Sequence, residues 1–236
     1  MSDSLKTTVE RNETHGLPDA SNGQREGCSL DGIVMPLAER IANYHRLTGF
    51  PESLFIGGDG RIVGTWIMGN DYRVKSAYYG GYPAGYLKRI KALFLEKTSV
   101  LHLFSGRVDK SVIPGDTVDT NPDLDPDYLD DAQTLERVPL EKYDLVMADP
   151  PYSVEDCERY QTPMVKRNKV MAALGARLTP GCHVVWLDQV LPMYRKDQFS
   201  LEGVIGMVKS TNHRFRVVTV FKRHNDQALR LPPKNL

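Results

Sequence analysis

The feature that most constrains the fold of this chain is the alternation of strand-like and helix-like patterns that begins near residue 84. Apolar, β-branched runs end in turn-forming residues, and segments with helical apolar spacing lie between some of them. This alternation predicts an open, mostly parallel α/β sheet, in which the last two strands form an antiparallel hairpin. The predicted strands are 99–106, 116–122, 143–152, 183–190, 203–210 and 216–223, and the predicted helices of this part are 84–94 and 170–182.

The residues before this α/β region divide into two parts. Residues 1–29 are polar and contain no aromatic residue, so we expect a disordered leader. Residues 30–77 combine a helical pattern with two β-rich runs around Gly-Gly-Asp-Gly, which predicts a small α+β extension with a hairpin. The main domain is then expected at 78–223, followed by a C-terminal tail at 224–236.

Composition excludes several classes of protein. No apolar run approaches membrane-spanning length, and the N-terminus has no apolar signal-peptide core. The three cysteines are far apart in the sequence, without CxxC spacing, and no histidine cluster accompanies them. This pattern argues against a disulfide framework and a zinc site. We therefore expect a cytoplasmic protein that uses neither a membrane nor a metal.

The charges are distributed unevenly, although the formal net charge is zero. Residues 111–136 hold seven Asp and one Glu but no Lys or Arg, whereas residues 161–236 hold thirteen Lys and Arg against four acidic residues. A basic C-terminal third can bind a phosphate backbone. Charge alone equally allows an ordinary solvated surface.

Small and acidic residues follow successive predicted strands. Phe104, Ser105 and Gly106 end the first strand, Asp119 ends the second, and Asp131 with Ala132 lies beside a short third. Ligands of doubly wound sheets bind at such strand ends, where glycine permits close approach and a carboxylate can bind ribose hydroxyls. The arrangement predicts a site for an adenosine-containing ligand. The absence of GxGxxG disfavours a nicotinamide-dependent dehydrogenase.

The strand at 143–152 ends in Asp149, Pro150, Pro151 and Tyr152. A strand cannot continue through two prolines, so the chain must present the carboxylate and the aromatic ring at its tip. This Asp-Pro-Pro-Tyr sequence resembles the (D/N/S)PP(Y/F/W) motif of class I S-adenosylmethionine-dependent amino-methyltransferases. Phe104-Ser105-Gly106 is similar to the FxG core of their cofactor motif, and the aromatic and glycine-rich segment 78–90 is similar to the one that precedes their first strand.

The resemblance, which extends from about Tyr78 to Arg223, implies a Rossmann-like class I methyltransferase fold and S-adenosylmethionine as the cofactor. Asp119 is expected to bind the ribose of the cofactor and Asp131 with Ala132 its adenine. The other expected cofactor-binding residues are Tyr79, Gly80, Gly81, Phe104, Ser105 and Gly106.

The chemistry of amino-group methylation explains the catalytic motif. The lone pair of an exocyclic amino group is delocalised into the ring, which makes the nitrogen a poor nucleophile. Asp149 and the Pro150 carbonyl can hydrogen-bond both amino hydrogens and stabilise the positive charge that develops. Pro150 and Pro151 lock the backbone, and Tyr152 can stack on a base rotated out of a helix.

The sequence therefore predicts methylation of the N6 amino group of adenine in DNA. Cytosine N4 and an RNA base are alternatives of the same class, and a non-catalytic nucleic-acid or partner-binding module is an alternative of another class. The extension at 30–77 is a possible site of substrate recognition. The residues predicted to bind nucleic acid are Lys166, Arg167, Lys169, Arg195, Lys196, His213 and Arg214.

Overall fold

The structure, a computed structural model, describes residues 35–69, 81–209 and 214–224, all of which belong to one compact unit. The predicted leader at 1–29 and most of the tail at 224–236 lie outside these residues, as does the boundary between 77 and 78. The described helices are α1 Leu37–Thr48, α2 Tyr86–Leu93, α3 Val154–Tyr160 and α4 Arg167–Arg177. The described strands are β1 Leu54–Ile56, β2 Ile62–Met68, β3 Val100–Leu103, β4 Asp116–Asp119, β5 Tyr128–Leu129, β6 Leu145–Ala148, β7 His183–Asp188, β8 Phe199–Lys209 and β9 Phe215–Arg223.

All of these strands lie in a single sheet in the order β1-β2-β8-β9-β7-β6-β3-β4-β5. The neighbours from β7 to β5 pair in parallel, whereas β9 is antiparallel to both β7 and β8. The prediction of a Rossmann-like α/β fold with a mostly parallel sheet and a terminal antiparallel hairpin is confirmed.

The strand order reverses between β3 and β6. From β3 the chain proceeds outward through β4 to β5, and it then returns to form β6 on the opposite side of β3. Parallel sheets with such a reversal leave a crevice at the carboxyl ends of the two central strands, and ligands bind there. The fold thus places the residues after Leu103 and those after Ala148 beside the same crevice.

Central strands of this sheet are covered on both faces. Leu145–Ala148 and His183–Asp188 are buried throughout, as expected for parallel strands with packed elements on either side. On one face, α1 and α2 pack against the sheet with residues such as Tyr44 and Ile90. On the other, α4 packs with residues such as Leu174.

The predicted N-terminal hairpin is confirmed, and it continues the main sheet. β1 pairs with β2 around the predicted Gly-Gly-Asp-Gly turn, and β2 pairs in parallel with β8. Trp66 of β2 is fully buried because it packs against Tyr44 of α1 and Tyr86 of α2. The extension therefore shares a hydrophobic core with the α/β region.

Some elements differ from the sequence prediction. The alternation of strands and helices is incomplete, because the short interval between β3 and β4 contains turns instead of a helix. Helix α4 begins at Arg167, three residues before its predicted start, and the short helix α3 had not been predicted. Across the described ranges, no helix is long and apolar enough to span a bilayer.

Candidate active site

Asp149 lies at the crevice because β6 ends at Ala148 and the two prolines stop further pairing. Tyr152 bends back so that its hydroxyl donates a hydrogen bond to Asp149 Oδ1. The Cζ atom of Arg216, next to the start of β9, lies 4.3 Å from the centre of the Tyr152 ring. One face of the ring is thus covered by a guanidinium group.

Burial dominates the electrostatics of the acceptor carboxylate. It raises the pKa of Asp149 from an ordinary value of 3.8 to about 7, although the Tyr152 hydrogen bond and the charge of Arg216 oppose the shift. Burial, and then the charge of Asp149, raise the pKa of Tyr152 well above its usual range. The Tyr152 hydroxyl therefore remains a proton donor to Asp149.

The charge of Asp149 also acts on the hydroxyls of two further tyrosines, Tyr82 and Tyr86. Tyr82 and Tyr86 stack with their ring centres 4.9 Å apart, and Tyr86 also contacts Trp66 edge-on at 6.3 Å. Both hydroxyls are buried, and neither has a hydrogen-bond partner among the described residues. Burial raises the pKa of each hydroxyl well above its usual range, and the charge of Asp149 adds to the rise.

The predicted cofactor turn directly follows β3. Phe104 and Gly106 adopt left-handed backbone conformations, with φ of 55° and 51°, and they turn the chain sharply at the strand end. The Gly106 amide donates to Asp119 Oδ2 at 3.1 Å, and the Asn121 amide donates to Asp119 Oδ1 at 3.0 Å. A carboxylate has about four acceptor positions, so Asp119 can still bind hydroxyl groups.

Ser105 provides a test of whether this turn fits an adenosine-containing cofactor. Its amide is bonded to the Val118 carbonyl at 3.2 Å, but its buried Oγ lacks a hydrogen-bond partner in the described part of the chain. Buried hydroxyls are normally paired, so an unpaired one beside a glycine turn and a carboxylate is what a polar ligand would satisfy. The residues therefore fit the predicted cofactor.

The residues predicted to contact the cofactor adenine follow β5. Asp131 accepts hydrogen bonds from the backbone amide of Gln133 at 2.8 Å and from its side-chain amide at 3.1 Å. Ala132 is buried within the core on the α4 side of the sheet. Gly81 is exposed in front of α2, whereas Tyr79 and Gly80 lie outside the described residues.

The predicted nucleic-acid contacts are in different environments. Lys166, Lys169, Lys196 and Arg214 are exposed. Arg195 is also exposed and forms an ion pair with Asp197. His213 falls in a range that the structure does not describe.

Arg167 differs from the other predicted nucleic-acid contacts. Its guanidinium binds the fully buried carboxylate of Asp188 through two hydrogen bonds of 2.6 and 3.0 Å. Asp188 also accepts from the Trp186 indole N–H at 3.0 Å. This bidentate pair attaches the start of α4 to the end of β7, so it gives Arg167 a structural role.

Sequence reasoning missed several residues of the acceptor side, namely Tyr82, Tyr86 and Arg216. The signal that could have marked Tyr82 and Tyr86 is their position in the aromatic and glycine-rich segment 78–90. Arg216 is the first residue of a predicted strand in a basic stretch, which does not by itself indicate a contact with Tyr152. Among the described residues, no group of three or more His, Cys, Asp or Glu residues could hold a metal ion.

No protein-family model matches the chain, and no curated protein sequence matches it. Solved structures do resemble it. TrmN from Thermus thermophilus is 17% identical, with a TM-score of 0.42, over 53% of this chain and 44% of that one. A mutant of MtNAS, solved in complex with S-adenosylmethionine, is 15% identical with a TM-score of 0.39, over 58% and 60% of the respective chains.

An rRNA methylase from Streptococcus thermophilus is 9% identical with a TM-score of 0.36, over 55% of this chain and 88% of that one. The chain thus spans less than half the length of TrmN. Identities and TM-scores this low assign neither a substrate nor residue roles, so the description of the fold rests on the sheet order.

Proposed function

We propose that this protein is an S-adenosylmethionine-dependent methyltransferase that methylates the N6 amino group of adenine in DNA. The observation that carries the proposal is the crevice between β3 and β6. Phe104, Ser105 and Gly106 lie on the β3 side of it, and Asp149 with Tyr152 lies on the β6 side. Neighbouring strand ends thereby bring the proposed cofactor-binding turn beside the proposed acceptor for amino hydrogens.

The β3 side would hold the cofactor. Ser105 Oγ and the carboxylate of Asp119 would bind polar groups of it, and Gly106 allows the backbone to approach closely. Bound there, S-adenosylmethionine supplies a methyl group activated by its sulfonium charge. The other residues proposed to bind the cofactor are Tyr79, Gly80, Gly81, Asp131 and Ala132.

The β6 side would orient the amino group. The Asp149 carboxylate and the Pro150 carbonyl accept its two hydrogens, which draws the nitrogen lone pair out of conjugation and toward the methyl donor. The methylated nitrogen then releases a proton. Asp149, whose pKa burial raises to about 7, has a suitable affinity for that proton near neutral pH.

Tyr152 must move when the base enters. Its hydroxyl donates a hydrogen bond to Asp149 Oδ1, and this carboxylate is the proposed acceptor for the amino group. When the base displaces that hydroxyl, the Tyr152 ring becomes available for stacking, while Arg216 supports its other face. Residues 30–77 are proposed to contribute to substrate recognition. The proposed contacts with the phosphate backbone of the nucleic acid are Lys166, Lys169, Arg195, Lys196, His213 and Arg214.

The test is transfer of labelled methyl from S-adenosylmethionine to duplex DNA, single-stranded DNA and RNA, followed by mass spectrometry of the nucleosides. We expect N6-methyladenine in DNA with the wild type and none with Asp149→Ala. Methylcytosine or methylated RNA would replace the proposed acceptor by one of the alternatives. Binding of cofactor and nucleic acid without methyl transfer to any acceptor would favour a non-catalytic module.

A further inference from the structure

Tyr86, the first residue of α2, carries a buried hydroxyl that none of the described residues pairs with. The Tyr86 side chain is fully buried, and its Oη has no hydrogen-bond partner in the described ranges. A buried hydroxyl without a partner costs folding free energy, so its retention calls for a ligand that pairs with it. The hydroxyl-free phenylalanine would pack equally well against Trp66 and Tyr82.

The topology places this hydroxyl at the crevice. Helix α2 precedes β3, so its first residue, Tyr86, lies at the edge of the sheet where β6 ends. The ring is held between Tyr82, stacked at 4.9 Å, and Trp66, in edge contact at 6.3 Å. Burial raises the pKa of Tyr86, and the charges of Tyr82 and Asp149 add to the rise, in keeping with this position near the crevice.

Asp149 and Tyr86 together offer an acceptor next to a donor. The complementary group is an amidine edge, in which an amino group adjoins an unprotonated ring nitrogen. Adenine has this edge at N6 and N1, and cytosine has it at N4 and N3. At O6 and N1 of guanine, and at O4 and N3 of thymine, an oxygen acceptor adjoins an N–H donor, which would oppose both protein groups. Guanine has an amidine edge only at N2 and N3. Because the pKa of Tyr86 is raised well above its usual range, its hydroxyl remains a donor.

We propose that Tyr86 is a specificity-determining residue whose hydroxyl donates a hydrogen bond to the ring nitrogen next to the amino-bearing carbon, N1 in adenine. The inference rests on the proposed function and deepens it. Asp149 and Pro150 hold the reacting amino group, while Tyr86 favours bases whose neighbouring ring atom can accept a hydrogen bond. A site built to hydrogen-bond a substrate group rejects an analogue that lacks the group.

The experiment pairs Tyr86→Phe with an altered base. Once the methylated sequence is identified on genomic DNA, oligonucleotides carry either adenine or 1-deazaadenine at the target, the latter having C–H in place of N1. We expect Tyr86→Phe to lower kcat/KM on adenine about tenfold relative to the wild type. On 1-deazaadenine, the two proteins should have the same kcat/KM. Tyr82→Phe is the matched control, and it should change kcat/KM by the same factor on both substrates or leave both values unchanged. Affinity for S-adenosylmethionine should not change with Tyr86→Phe.

Three results would overturn the inference: an equal loss with Tyr86→Phe on both bases, a loss of cofactor affinity, or the base-dependent pattern appearing with Tyr82→Phe instead. If Tyr86→Phe does not fold, the wild type still decides, because it must methylate 1-deazaadenine about tenfold less efficiently than adenine. Failure of the proposed function would be distinguishable, since the wild type would then transfer no methyl to adenine in any DNA.

Discussion

At the scale of single residues, the proposed chemistry depends on how far burial raises the pKa of Asp149 and how far neighbouring groups lower it. The carboxylate, which is proposed to share the amino hydrogens with the Pro150 carbonyl, accepts them most strongly when it is ionised, and burial raises its pKa to about 7. Arg216 is the cation that opposes this rise, although its main visible contact is with the Tyr152 ring. Arg216 is therefore expected to influence both stacking and ionisation.

This balance predicts the pH dependence of methyl transfer. Because the ionised form is the active one, kcat/KM should rise with pH and level off above about 7. Arg216→Met removes the charge that stabilises the carboxylate, so the midpoint should move upward by roughly one unit. The measurement is a pH profile of kcat/KM, with Arg195→Met as the control for loss of a distant arginine. An unchanged midpoint in Arg216→Met would contradict this coupling.

The same carboxylate predicts a pH-dependent stability. The folded pKa of about 7 exceeds the ordinary value of 3.8, so the native state binds the proton more tightly and stability falls as pH rises through this window. Asp149→Asn, which cannot ionise, should raise Tm by roughly 10 °C at pH 8 and change it little at pH 4. Thermal unfolding at both pH values, with the exposed Asp123→Asn as control, measures this. Equal effects of Asp149→Asn at the two pH values would refute it.

At the scale of elements, the Arg167–Asp188 pair joins α4 to β7. Arg167→Met leaves a fully buried carboxylate with only neutral donors, so we expect a loss of about 3 kcal/mol in the free energy of unfolding. Lys169→Met, on the exposed face of the same helix, should cost less than about 0.5 kcal/mol. Urea denaturation compares the two variants. Equal stabilities would show that the pair contributes nothing to folding.

Most elements could be predicted because their patterns are local. Apolar runs with turn residues at their ends marked β3, β4, β6 and β7, and the Gly-Gly-Asp-Gly turn marked the β1–β2 hairpin. Helix α3 was missed because it buries little apolar surface, although Ser153 accepts a hydrogen bond from the Asp156 amide as a helix cap. The true start of β8 was missed because a register shift between Leu201 and Gly203 interrupts its alternation.

The composition of the site was predictable only in part. Asp149, Tyr152 and the Phe104–Gly106 turn follow strands directly, so the local sequence marks them. The contact between Arg216 and Tyr152 depends on β9 lying between β7 and β8, which no local pattern determines. The pairing of Arg167 with Asp188 could not be predicted either. A stretch rich in lysine and arginine indicates a charged surface, even when one of its arginines binds a buried carboxylate.

At the scale of the whole molecule, the uneven charge distribution predicts salt-dependent binding to nucleic acid. Lys166→Ala and Lys169→Ala should each weaken binding regardless of sequence and reduce the slope of log K against log salt by about one. Fluorescence anisotropy with duplex DNA at several salt concentrations measures the slope. Glu158→Ala, an exposed acidic position on α3, should not reduce it. Slopes unchanged in both lysine variants would remove these residues from the proposed interface.

The central claim is that one crevice has a cofactor side, next to β3 and β4, and an acceptor side, next to β6. Calorimetric titration of S-adenosylmethionine into the wild type, Asp119→Ala and Asp149→Ala tests this division most directly. We predict that the wild type and Asp149→Ala bind the cofactor equally, and that Asp119→Ala binds at least tenfold more weakly. Absence of binding by the wild type, or a loss confined to Asp149→Ala, would contradict the account.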